Sequence, residues 1–89
     1  MNIFIKKYIE NMTEQDIYNF ALKEGITLLN NESKIILVYL KNYWQVLLND
    51  DPTFIFEELK EKLREETYYR IIDLYKKYII KYKKNNKLI

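Results

Sequence analysis

The stretch KIILVYLKNYWQVLL, residues 34–48, decides the fold, because no other segment of the chain is apolar on so many sides. Wound at 3.6 residues per turn, its polar side chains Lys34, Lys41, Asn42 and Gln45 fall in one narrow sector. The remaining circumference, from Ile35 round to Trp44 and Leu48, requires burial. The sequence therefore predicts a central helix, spanning residues 31–48 with its cap, hidden on nearly every side and jacketed by the rest of the chain. Its longest unbroken apolar run, residues 35–40, is far below the roughly 20 residues of a membrane span.

The flanking segments carry the punctuation of further helices. Residues 3–11 place Phe4, Ile5, Tyr8 and Ile9 at helical spacing, and Thr13 followed by Asp16 matches a capped helix start. That second helix, with Ile17, Tyr18, Phe20 and Ala21 inward, is expected to end at Gly25, since glycine takes the left-handed conformation of a helix C-terminus without strain. Asn30 or Asn31 is the expected cap of the central helix, with Glu32 in its positive first turn. Asp51-Pro52 restarts the chain as a fourth helix burying Ile55 or Phe56, Leu59 and Leu63. A break is expected at residues 65–67, with Thr67 capping a fifth helix that runs to about Lys84. In that helix Tyr68, Ile71, Ile72, Tyr75, Tyr78, Ile79 and Tyr82 share one side, and Arg70, Lys76, Lys77, Lys81 and Lys84 share the other. Tyr69 and Ile80 project from the polar side. The reading is one all-α domain over residues 1–84, a compact bundle of about five helices, with residues 85–89 as a frayed tail.

Composition narrows the chemistry. The chain of 89 residues is 48% hydrophobic and 16% aromatic, enough for a core, while one glycine and one proline leave little turn chemistry for a β-rich fold. It has no cysteine and no histidine. Disulfide and thiolate chemistry are excluded, and so are the commonest general base and the commonest metal ligand. Lys6, Lys7 and Glu10 interrupt the N-terminal apolar pattern, unlike the hydrophobic centre of a signal peptide, and a cytoplasmic protein is expected.

Met1-Asn2-Ile3-Phe4, Thr13, Asp16-Ile17, Phe20-Ala21, Gly25-Ile26-Thr27, Leu40-Lys41, Trp44, Asp51-Pro52, Tyr69 and Leu74-Tyr75 form a pattern that runs along most of the chain. In it the sequence resembles a small family of all-helical cytosolic proteins from low-GC Gram-positive bacteria, a domain of unknown function. These residues are caps, turns and core positions. The resemblance implies a helical cytosolic protein and assigns no functional residue.

Several motifs invite sharper readings. Ala21 and Gly25 have the spacing of a helix-turn-helix, but the helix that follows is too apolar for groove recognition, and a helix-extended loop-helix reading of residues 16–40 fails for the same reason. Glu57, Glu61 and Glu65 recur every four residues, yet no histidine accompanies them and Lys60, Lys62 and Arg64 interleave, as on a solvated face. Ser33, the only serine, has no histidine to activate it. Residues 67–89 hold seven bases and one acid, whereas residues 50–66 hold seven acids and three bases. An antiparallel pairing of the last two helices would set these charges beside each other.

Enzyme chemistry, a metal and a cofactor are therefore not expected. The expectation is a protein–protein interaction module, docking a cytosolic partner or a second copy of itself. Its candidate surface is Tyr69 and Ile80 with Arg70, Lys76, Lys77, Lys81 and Lys84. The alternative is nucleic-acid binding along the same basic helix, with Lys83 added. Trp44 and Tyr43 are a further candidate hot spot, outweighed by their place in the most apolar helix.

Overall fold

The computed structural model describes residues 3–86. Among the described residues five helices follow one another: α1 (Ile3–Glu10), α2 (Glu14–Lys23), α3 (Glu32–Asn49), α4 (Thr53–Lys62) and α5 (Glu65–Asn86). No strand occurs among the described residues, and the all-α bundle is the architecture observed.

The helix boundaries follow from local chemistry. The Thr13 hydroxyl accepts from the Asp16 N–H at 3.1 Å while the Asp16 carboxylate accepts from the Thr13 N–H at 2.8 Å, which closes the N-terminus of α2. At the other end Gly25 has φ +83°, the Ile26 N–H donates to the Ala21 carbonyl at 2.8 Å, and the Gly25 N–H donates to Leu22 at 3.0 Å. This paired closure satisfies two orphan carbonyls and leaves Ile26 buried against the core.

Two later boundaries differ from expectation. At α3 Asn31 holds the cap position and Glu32 the first turn, as expected, but Asn31 makes no side-chain cap bond; the Glu32 carboxylate instead turns back and accepts the Leu29 N–H at 2.8 Å. At α4 the pattern moves by one residue, with Pro52 at the cap position and Asp51 accepting from both the N–H and the hydroxyl of Thr53.

The break between α4 and α5 is real but falls at Leu63 and Arg64 rather than at residues 65–67. Leu63 is extended, with φ −102° and ψ 156°, because its side chain turns into the core. Thr67 is no cap; it lies inside α5 at 2% exposure and donates its hydroxyl to Glu32. The same break puts Glu65 on a different helix from Glu57 and Glu61, so the three carboxylates do not share one strip. Helix α5 extends through Asn86, so Asn85 and Asn86 are helical, while the rest of the expected tail and Met1-Asn2 lie outside the described residues.

Helices α1, α2 and α4 pack on α3, and α5 packs on α4. The core joins Ile17 and Ala21 of α2, Ile26 and Leu28 of the connector, Ile36 and Tyr39 of α3, and Ile55, Leu59 and Leu63 from the α4 segment. Helix α3 is thus the central element, but it is not hidden on nearly every side. Val38 is 45% exposed, because it lies one turn from Lys34, Lys41 and Asn42 inside the polar sector. Trp44, Leu47 and Leu48 are half-buried. The rod also changes course at Tyr43, whose φ of −132° and ψ of 17° are not helical. Its ring meets Tyr39 at 5.8 Å and the edge of Phe54 at 5.3 Å. No helix of the described residues is long and apolar enough to cross a membrane.

Candidate functional site

Three fastenings set the position of α5, and the space they leave is the site. The first is polar and buried. The Glu32 carboxylate receives the Arg64 guanidinium at 2.9 Å, the Arg64 backbone N–H at 3.1 Å and the Thr67 hydroxyl at 3.3 Å, besides the Leu29 N–H. Arg64 also donates to the Thr27 carbonyl at 3.0 Å, so one cation ties the connector, α3 and the start of α5 together. Burial pushes the Glu32 carboxyl up, but the donors converging from Arg64, Leu29 and Thr67 outweigh it and hold the group below the usual carboxylate range.

The second fastening is Tyr75, whose hydroxyl donates to the Leu47 carbonyl while its ring takes the edge of Phe56 at 5.1 Å. The third is Glu24, which accepts from the Tyr78 hydroxyl at 2.9 Å and from Lys77 at 3.3 Å. Its bond to Tyr78 raises the tyrosine pKa and lowers that of the carboxyl. Beyond Tyr78, among the described residues, no hydrogen bond or ion pair ties α5 to another helix.

Between these ties and α3 the bundle does not close. An apolar groove of about 450 Å³ remains, partly open to solvent. Its floor is α3, through Ile36, Leu40, Trp44, Leu47 and Leu48. One wall is α5, through Ile71, Leu74, Tyr75, Tyr78, Ile79 and Tyr82. Ile17, Phe20 and Ala21 of α2 and Ile5 and Ile9 of α1 complete it. The lining is aliphatic and aromatic, and its two hydroxyls nearest the ties, those of Tyr75 and Tyr78, are already bonded to protein. The site can therefore take up apolar groups; it offers no charged side chain in its lining to activate or orient a reacting one.

The residues singled out from the sequence do not all meet here. Tyr69 and Ile80 are 49% and 65% exposed on the side of α5 away from the groove, with the Tyr69 ring against Tyr68 at 5.2 Å. Arg70 lies beside the Gly25 turn, and Lys77 is held by Glu24. Lys76, Lys81, Lys83 and Lys84 are exposed, and the Lys77 and Lys81 ammonium groups stand over the Tyr78 ring at 5.4 and 5.5 Å. Helices α4 and α5 pack together, and among the described residues no ion pair joins them. Trp44, set aside as a core residue, is instead on the groove floor. Its sequence signal was the width of the apolar face, which exceeds what one covering helix hides. Comparison of the chain with protein-family models, curated proteins and solved structures finds no match in any of the three.

Proposed function

We propose that the chain is a small helical protein–protein interaction module, a binding rather than a catalytic protein, whose docking site is the groove between α5 and the α1–α2–α3 layer. The observation that carries this reading is a cavity of about 450 Å³, floored by Trp44 and walled by the tyrosine-rich strip of α5, in a chain of only 89 residues. Apolar side chains that a monomer leaves open cost free energy in proportion to their area, and a partner that covers them recovers it. Tryptophan and tyrosine are also the residues that dominate interface energetics.

The test combines a hydrophobic fluorescent dye with sedimentation. Saturable dye binding that falls in an Ile79→Glu variant of unchanged helicity supports the groove. Dye exclusion by a protein that stays monomeric at high concentration removes it.

A second reading has its own observation. Six cations, Arg70, Lys76, Lys77, Lys81, Lys83 and Lys84, are exposed along α5, a positive charge that a phosphate backbone would meet. That reading predicts retardation of DNA or RNA at low salt, lost when these lysines are changed to glutamate. Free migration under those conditions excludes it.

A further inference from the structure

Resting on the groove reading, we propose the occupant: an acidic amphipathic helix of a partner protein, laid along the groove with its apolar face down and its carboxylates against the lysines of α5. Three observations select it over the alternatives.

The first is length. Ile71 to Tyr82 on the α5 wall spans about 16 Å and Ile36 to Leu48 on the floor about 18 Å, at 1.5 Å per helical residue. Three turns of a guest helix cover the same distance, with apolar anchors at i, i+3 or i+4, and i+7. The second is the open side. An acyl chain is apolar all round and is stabilised by enclosure, so a half-open groove leaves much of it in water. An amphipathic helix has a polar face for that side.

The third is charge. Between Arg70 and Lys84 the wall helix carries six bases and one acid, Asp73. Lys77 and Lys81 flank the apolar strip on the edge marked by Tyr78, and Lys76 and Lys83 lie three and four residues from Ile79 on the other edge. Of these only Lys77 has an ionic partner among the described residues. Acidic side chains flanking the guest's apolar face meet these cations, whereas basic ones are repelled. The same field disfavours a second copy in any arrangement that sets one basic α5 edge against another.

The experiment uses the full chain and two synthetic helical peptides of roughly fifteen residues. Both carry leucine at the anchor spacing and no tryptophan; one has glutamate and the other lysine beside the leucines. Trp44, the only tryptophan in the chain, reports occupancy by its emission. The expected result is saturable one-to-one binding with a blue shift, and an affinity for the glutamate peptide roughly ten-fold above that for the lysine peptide, narrowing with salt. Substituting Lys76→Glu, Lys81→Glu and Lys83→Glu together, all at exposed positions, is expected to reverse the preference without changing the far-ultraviolet spectrum.

Equal affinity for the two peptides, or a preference untouched by the reversal, overturns the charge selection and with it the proposal. If neither peptide binds while dye still enters the groove, the acidic helix is wrong and the groove reading survives. If dye is excluded too, both fall. One-to-one saturation by palmitate in the absence of peptide binding replaces the helix by an acyl chain. A dimer that shields Trp44 replaces it by a second copy.

Discussion

Glu32 is 3% exposed and charged, and it is the residue on which the placement of α5 turns. Replacing it by glutamine keeps the volume but removes the charge shared by five donors, the backbone N–H groups of Leu29 and Arg64, Nε and Nη2 of Arg64 and the Thr67 hydroxyl. The expected loss is on the order of 2 kcal/mol of unfolding free energy, read from urea midpoints at neutral pH. The pH dependence has a definite sign. A carboxyl whose pKa is lower in the folded state than its ordinary 4.5 contributes stability above that value and loses it as pH falls through the folded-state pKa. Wild-type protein is therefore expected to weaken through the region below about 4.5 more steeply than Glu32→Gln across an acid urea series. Tyr39 makes the alkaline counterpart. Its hydroxyl donates to Glu58 at 2.7 Å, and that bond, with burial, pushes its pKa up to about 12. A raised pKa favours the folded state until pH passes it, so this contribution is complete below the ordinary 10 and is lost through about 12. Ultraviolet titration of Tyr39→Phe is expected to lack one tyrosinate from the latest phase.

Among the elements, α2 shows how far local signals reach. Gly25 at φ +83° closes it, and a Cβ added there would meet only the end of the Arg70 side chain at 3.4 Å. Space is thus not the obstacle; the left-handed backbone is. Gly25→Ala is expected to cost about 1 kcal/mol and Gly25→Asn less, since asparagine tolerates that conformation better. Denaturant unfolding of the pair measures the difference. This boundary and the Thr13–Asp16 box were legible in the sequence because each is made by residues within five positions of one another. The start of α5 was not. Its register is set by Leu63 entering the core and by Glu32, 32 residues away from Arg64, taking its backbone N–H. A threonine that looked like a cap became an inward donor because the long-range partner was there.

For the molecule as a whole, the consequence is uneven stability. The first turns of α5 are bound to α3 and α4, whereas the turns after Tyr78 have an apolar strip facing an open groove and no described tie to another helix. Hydrogen exchange is expected to be fastest within α5 beyond Tyr78 and slowest around Ile55, Leu59 and Thr67, which lie at the bottom of the core. Binding of the glutamate peptide is expected to slow exchange in that segment and along the α3 floor. Unchanged exchange in both would mean that the peptide lies elsewhere.

The amino-acid sequence by itself determined the helical class, the number of helices among the described residues and the chemistry of both ends of α2, because periodicity, capping and the lone glycine act over a few residues. It also marked residues 34–48 as the element that α1, α2 and α4 pack on. Only the tertiary structure decided how much of that element is covered. The same apolar strip of α5 reads alike whether it closes on α3 or stands off from it. What separates the two is where Glu32, Leu47 and Glu24 catch Arg64, Tyr75, Tyr78 and Lys77, and those ties hold α5 with a groove over Trp44.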